Sequence, residues 1–258
     1  MGSIMPSAPA SFAGFALLAT SLLAPGAPAQ KKQWPQPRVV EPGAPGQPPS
    51  DAVVLFNGKD MTGWVRRDGS PARCTASDGV MVCRTGVGHI FTTEKFRDAH
   101  IHLEFLLPAM PGHQGQLRGN SGVYLHGCHE IQILDSYQNP TYPEGAAAAI
   151  YGVSPPLVIA SRPPDQWQSY DIIFRAPRCD AAGALRTPGY VTVLYNGVLV
   201  QDHVEIARRG AGCRDQNICE PGPLMLQDHS GFKNAPDTTM KFRNLWLRKL
   251  EEPAEEGR

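Results

Sequence analysis

The run Arg118-Gly119-Asn120-Ser121-Gly122-Val123-Tyr124-Leu125-His126-Gly127, followed at once by His129-Glu130-Ile131-Gln132-Ile133-Leu134-Asp135-Ser136, gathers side chains that grip sugar hydroxyls and move protons. Neighbours along a strand point to opposite faces. Ile131 and Ile133 therefore share one face and Glu130 and Gln132 the other, while Val123 and Leu125 oppose Tyr124 and His126. With the apolar face in a core, a carboxylate, an amide, a phenol and an imidazole line one polar sheet face. Asp135 is in phase with the isoleucines and reaches that face only through a bulge near Leu134. A solvent-washed face is the ordinary explanation of such alternation, but it favours Lys, Thr and Ser, and this run has no Lys. A concave polar site is the reading it supports.

The elements that must hold these residues are strands. Val80 to Cys83, His100 to Leu107, Val123 to His126, Glu130 to Leu134, Tyr170 to Phe174, Val191 to Tyr195 and Met240 to Leu247 are rich in branched and aromatic residues, with Gly, Pro or Asn between them. Ile101, Leu103, Phe105 and Leu107 alternate most cleanly. Tyr195-Asn196-Gly197-Val198 predicts a tight hairpin, because Asn-Gly accepts the positive φ of a two-residue turn. No segment keeps a helical period over three turns. Many short strands with frequent turns predict an all-β fold of two packed antiparallel sheets, a sandwich or jelly roll.

The chain has 258 residues. Phe12 to Leu23 is apolar and Ala27-Pro28-Ala29 has the small-x-small form of a cleavage site, so residues 1–29 read as a signal peptide, although no Lys or Arg precedes Lys31. No stretch offers the ~20 apolar residues of a membrane span. Residues 30–50, rich in Pro, Gly, Gln and Ala, read as a flexible linker; residues 51–250 suffice for one domain with its own core; residues 251–258 form a charged tail.

Lys plus Arg and Asp plus Glu balance at 24 each, and no basic run tracks a phosphate backbone, so nucleic acid is excluded as a partner. Six cysteines in an exported chain imply disulfides. Cys74 and Cys83 flank a Ser77-Asp78-Gly79 turn and suit a bridge across a hairpin, and Cys213 with Cys219 would close a small loop. None shows the paired CxxC spacing of structural zinc. The irregular stretch from Gln138 to Pro164 holds six prolines, four consecutive alanines, Tyr142 and Tyr151, which favours a cleft wall over disorder.

A family resemblance rests on six motifs in order. Leu55-Phe56-Asn57-Gly58-Lys59-Asp60-Met61-Thr62-Gly63-Trp64, Asn120-Ser121-Gly122, Glu130 to Ser136, Trp167-Gln168-Ser169-Tyr170-Asp171-Ile172, Tyr195 to Val198, and Leu226-Gln227-Asp228-His229 with Phe242-Arg243-Asn244 together resemble the 3-keto-disaccharide hydrolase domain, also described as a 3-keto-glucoside 1,2-lyase and 3-keto-2-hydroxy-glucal hydratase domain. The resemblance spans nearly the whole of the chain after the linker. It implies a concanavalin A-like jelly roll, in bacteria that often export many such proteins, acting on glycosides whose glucosyl C3 hydroxyl has been oxidised to a ketone. The ketone acidifies the C2 proton; its removal gives an enolate that expels the glycosidic oxygen from C1, and water then adds to the 2-hydroxy-glucal.

Such a reaction needs a base near C2, a donor or cation at the C3 oxygen and an acid for the leaving group. The resemblance makes Glu130 the base, Gln132 a hydroxyl or enolate partner and His229 the acid or a second base, with Asp228 or Asp135 holding its tautomer. Glu104 is a further carboxylate for the site, Asn120, Tyr124 and His126 would position hydroxyls, and Trp167 or Tyr151 would stack on a sugar face. His, Glu, Gln and Asp around one cleft can also hold a divalent metal that polarises the ketone. The plainer readings are that Trp167 belongs to the core, that Glu104 pairs with Arg118 or Arg243, and that Asn57 and Asn244 serve turns. Many members carry Arg where this chain has Leu106 and His126, which removes a candidate for enolate charge. Two other functions remain open. A laminarinase-like glycosidase needs paired carboxylates roughly 5–5.5 Å apart, and Gln132 stands where one is expected. A non-catalytic carbohydrate-binding module would bind sugar and turn nothing over.

Overall fold

A computed structural model of the chain describes residues 1–2, 36–45, 47–206 and 218–251. The expected signal peptide and residues 30–35, 207–217 and 252–258 lie outside the described residues or almost wholly so. Among the described residues there is no α-helix, and no helix long and apolar enough to cross a membrane.

The chain folds into two large antiparallel sheets. The larger follows the order β13 (Val198–Ile206), β12 (Gly189–Tyr195), β9 (Gln168–Arg175), β6 (Ala99–Leu106), β15 (Thr239–Lys249), β4 (Val80–Arg84) and β3 (Thr75–Ser77), with β1 (Val53–Val54) also paired to β15. The smaller follows β2 (Trp64–Arg66), β5 (Ile90–Phe96), β14 (Gly222–Leu226), β7 (Asn120–Leu125) and β8 (His129–Leu134). A short ribbon joins β10 (Arg178–Cys179) to β11 (Leu185–Thr187). Crossovers between non-consecutive strands give the jelly roll that the strand pattern predicts.

Period-two alternation fixes which residues meet between the sheets. Ile101, Leu103 and Phe105 of β6, Tyr170, Ile172 and Phe174 of β9, and Phe242 of β15 face Val123, Leu125, Ile131 and Ile133 of the smaller sheet, and none of them is more than 1% exposed. Burying each such side chain contributes on the order of 1.5–3 kcal/mol. The β12–β13 hairpin closes through Asn196 and Gly197 at φ 52° and 82°, as the Asn-Gly pair requires.

The Cys74–Cys83 bridge spans the β3–β4 hairpin as expected. The second expected bridge is corrected: Cys219 pairs with Cys179, tying the segment before β14 to β10 rather than closing a small local loop. Parts of the linker, Val40 to Pro45 and Gln47 to Pro49, lie along the outer face of the larger sheet beside His100, His102, Asp171 and Trp246.

Candidate active site

The β7–β8 hairpin pairs Tyr124 with Glu130 and Gly122 with Gln132, and cross-strand partners share a face. The register runs without a shift, so Tyr124, Gly122, Glu130 and Gln132 all stand on the outer face of the smaller sheet while Val123, Ile131 and Ile133 enter the core. The Tyr124 hydroxyl donates to Glu130 Oε2 at 2.7 Å. Gln227, which continues β14 past Leu226 opposite Gly122, donates from Nε2 to the same hydroxyl at 2.9 Å. Gly122 leaves the space that the Glu130 carboxylate and the Tyr124 ring occupy. A Cβ in its place would collide with Glu130 Oε1 and come within 2.9 Å of the Tyr124 ring.

Burial pushes the Glu130 carboxyl up to about 7, although the hydrogen bond from Tyr124 opposes the shift. Burial and the adjacent carboxylate push the Tyr124 phenol in the same direction, so it stays protonated and donating. A carboxylate with a midpoint near neutrality, held by one phenol, is suited to accept a proton from carbon.

The Gln138–Pro164 stretch forms the wall beside this pair. Gln132 and Glu130 exchange backbone hydrogen bonds with Ala148, Ala149 and Tyr151, so the wall adds to the free edge of β8. Its four alanines are almost fully buried, small enough to let the backbones approach. Tyr151 is thereby held next to Glu130, and its hydroxyl lies 2.6 Å from that of Tyr142. Gln116 ties wall to floor: its Nε2 donates to Thr141 Oγ1 and to the Gly145 carbonyl, both at 2.9 Å, and its Oε1 accepts from Asn120 Nδ2 and Gln132 Nε2 at 3.1 and 3.0 Å.

His229 sits in a short turn, His229–Gly231, at the end of the site nearer Asn120 and Gln227. Its ring stacks on the exposed Phe232 at 4.1 Å, and burial lowers its pKa against the opposing charge of Asp228. Neither acid expected to hold its tautomer does so. Asp228 spends its carboxylate on the backbone N–H groups of Gly86, Gly88 and Ser230. Asp135, with no bulge to turn it outward, is buried against Arg118 at 2.6 Å and braces the start of the wall.

Three further expectations fall elsewhere. His126 does not continue the alternation: it adopts φ 53° just after β7, which swings its ring into the core between Phe96 and Phe174. Glu104 and Trp167 belong to the outer face of the larger sheet, across the whole core from Glu130. There Arg243 Nε meets Glu104 Oε2 at 2.6 Å and its guanidinium covers the Trp167 ring at 4.1 Å. Asn244 also donates to Glu104, so it serves that cluster rather than a turn alone.

Sequence reasoning overlooked Gln116, His89 and the side-chain role of Gln227. Gln116 lies in an irregular stretch with no period to place it. His89, whose Nδ1 accepts from the Asp228 backbone N–H at 3.1 Å, follows a Gly-x-Gly turn that carries no strand signal. Among the described residues no three His, Cys, Asp or Glu side chains converge as a metal-ligand set. A divalent ion, which the sequence leaves possible, finds no such cluster among the described residues.

The 3-keto-alpha-glucoside-1,2-lyase-like domain model matches residues 51–248. A candidate glycosyl hydrolase of Parabacteroides distasonis ATCC 8503, solved at 2.13 Å, is 39% identical, with a TM-score of 0.77 over 86% of this chain and 95% of its own. A second candidate glycosyl hydrolase from the same organism, solved at 1.70 Å, is 20% identical, with a TM-score of 0.55 over 78% of this chain and 94% of its own; that likeness speaks to the fold alone. No curated protein matches the chain.

Proposed function

This chain belongs to the 3-keto-alpha-glucoside-1,2-lyase-like domain family, and from that premise we propose that it cleaves 3-keto-glycosides by elimination across C1 and C2. The observation that carries the proposal is the Glu130 carboxyl, poised near neutrality by burial and oriented by Tyr124. A C3 ketone lowers the acidity gap to a base of this strength, which an unoxidised sugar would not.

Glu130 removes the C2 proton, and the electron pair of the C–H bond passes into the C2–C3 enolate. The enolate returns that pair toward C1, the C1–O bond breaks with its electrons on the departing oxygen, and the C3 ketone is restored beside a new C1–C2 double bond. The leaving oxygen needs a proton; His229, the protonated Glu130 and the Tyr142–Tyr151 hydroxyl pair are the donors around the site. Water added to the double bond completes hydrolysis. Asn120 and Tyr151 hold sugar hydroxyls or faces, while Gln132, almost fully buried, braces the wall through Gln116 and the Gly145 carbonyl. Export accompanies this reading, supported by the Cys74–Cys83 and Cys179–Cys219 bridges, since such bonds persist in oxidising compartments.

A laminarinase-type mechanism fits less well, because the position two residues after Glu130 on the same face carries the Gln132 amide. The test is incubation with a 3-keto-glucoside and with its unoxidised counterpart, products followed by NMR. Release of the aglycone from the keto substrate alone supports elimination. Release from the unoxidised glycoside, or from neither, refutes it.

A further inference from the structure

Three residues that line one recess each carry a buried side-chain oxygen with no hydrogen-bond partner: Asn120 Oδ1, Gln227 Oε1 and Thr238 Oγ1. The recess lies where β7 begins and β14 ends, with Arg84, Thr85, Asp228 and His229 on its polar side and Ile90, Met240 and Phe242 of the core on the other. Its free volume is about 20 Å³, room for one oxygen-sized group. Asn120 is 5% and Gln227 9% exposed. A buried acceptor left unpaired has lost its water and gained nothing in return, so two amide carbonyls in this state call for a donor.

The orientation of both amides is set by neighbours. Asn120 Nδ2 is taken by the backbone carbonyl and side-chain oxygen of Gln116, at 2.9 and 3.1 Å, which turns its oxygen away from Gln116. Tyr124 spends its proton on Glu130 and so must accept from Gln227 Nε2, which turns the Gln227 oxygen away in the same manner. The ionised base thus dictates, through one phenol, that Gln227 presents an acceptor.

We propose that this recess is a specificity subsite that accepts the hydrogen bond of one free hydroxyl of the substrate sugar, other than the reacting C2 and C3 positions, with Asn120 and Gln227 as the residues that read it. The proposal rests on the sugar-site reading above and deepens it. A site built to bond a hydroxyl rejects the analogue lacking it far more strongly than an apolar pocket rejects a missing methylene. The substrates it admits carry an unsubstituted hydroxyl at that position, C4 or C6 of the glucosyl ring.

The test compares methyl 3-keto-glucoside with its 4-deoxy, 6-deoxy, 4-O-methyl and 6-O-methyl analogues, measuring kcat/KM for the whole chain and for the Gln227→Met and Asn120→Leu variants. In parallel, calorimetry on the parent chain follows binding of the corresponding unoxidised methyl glucosides, which lack the ketone the reaction needs. At one position both deoxy and methyl-ether analogues are expected to lose about 10²-fold or more. In either recess variant that ratio should shrink to within about tenfold, a change that mere loosening of the fold would not produce.

Equal treatment of all analogues, or a ratio unchanged in both variants, overturns the proposal, as does failure of every sugar to bind. A rise in thermal stability with Ca²⁺ or Mg²⁺ that Asn120→Leu abolishes, without analogue discrimination, would instead make the recess a cation site. Discrimination in calorimetry without turnover of any keto sugar would uphold the subsite and remove the lyase reading; turnover without discrimination would do the reverse.

Discussion

Tyr124 and Glu130 face each other across the β7–β8 hairpin, 2.7 Å from hydroxyl to carboxylate oxygen, and the phenol opposes the effect of burial on the acid beside it. Burial alone would carry Glu130 higher. The tyrosine brings the carboxyl back to a value at which it is both ionised and basic in neutral solution.

Glu130→Gln keeps the shape and removes the base. Turnover of a 3-keto-glucoside should fall by about 10²–10⁴-fold, with circular dichroism unchanged and sugar binding retained. Turnover within threefold of the parent would rule Glu130 out as the base.

Activity should follow the ionised form of Glu130. Below its midpoint the carboxyl is protonated and cannot accept the C2 proton, so kcat/KM is expected to climb as pH rises through about 7. In Tyr124→Phe the hydrogen bond that lowers this value is gone, so the rising limb should move to higher pH. A limb that stays in place, or moves down, would contradict the geometry.

Stability should run the other way. A carboxyl raised in the folded state binds its proton more tightly there than in the unfolded chain, so folding loses stability as pH rises from the ordinary value of 4.5 to about 7. The loss from this residue is on the order of 3 kcal/mol. Denaturant melts at pH 5 and pH 8 measure it, and Glu130→Gln should flatten the difference.

Gly122→Ala puts a methyl group where the Glu130 carboxylate and Tyr124 ring lie. The backbone there is ordinary strand, so the fold is expected to survive while the carboxylate is displaced and kcat falls. Full activity in this variant would mean that Glu130 has room to spare.

Of the Cys74–Cys83 and Cys179–Cys219 bridges, the second closes the longer loop, a separation of 40 against 9. By loop entropy its removal should cost about 4 kcal/mol against about 2.5 kcal/mol for the hairpin bridge. Paired Cys→Ala variants and their unfolding midpoints would check the ranking.

The sandwich was legible wherever alternation was uninterrupted. Ile101, Leu103 and Phe105 point inward as their spacing requires, and the same rule put Tyr124, Glu130 and Gln132 together. It failed at His126 because a single residue in the left-handed region reverses the side-chain direction, and a period of two carries no warning of that. It could not separate Glu104 from Glu130. Both are outward on their strands, and which sheet a strand joins is decided by contacts distant in sequence. β5 escaped notice because Thr92, Thr93, Glu94 and Lys95 dilute its apolar pattern, and its pairing with β14 shifts register. Gln116 gained its role from tertiary contacts alone.

The wall segment Ala148–Tyr151 also covers part of an otherwise bare strand margin on β8. An uncovered margin of that kind recruits strands from other molecules. Reshaping the wall to admit a different aglycone therefore risks self-association of the protein, and variants that broaden substrate range by altering these residues should be screened for solubility before activity.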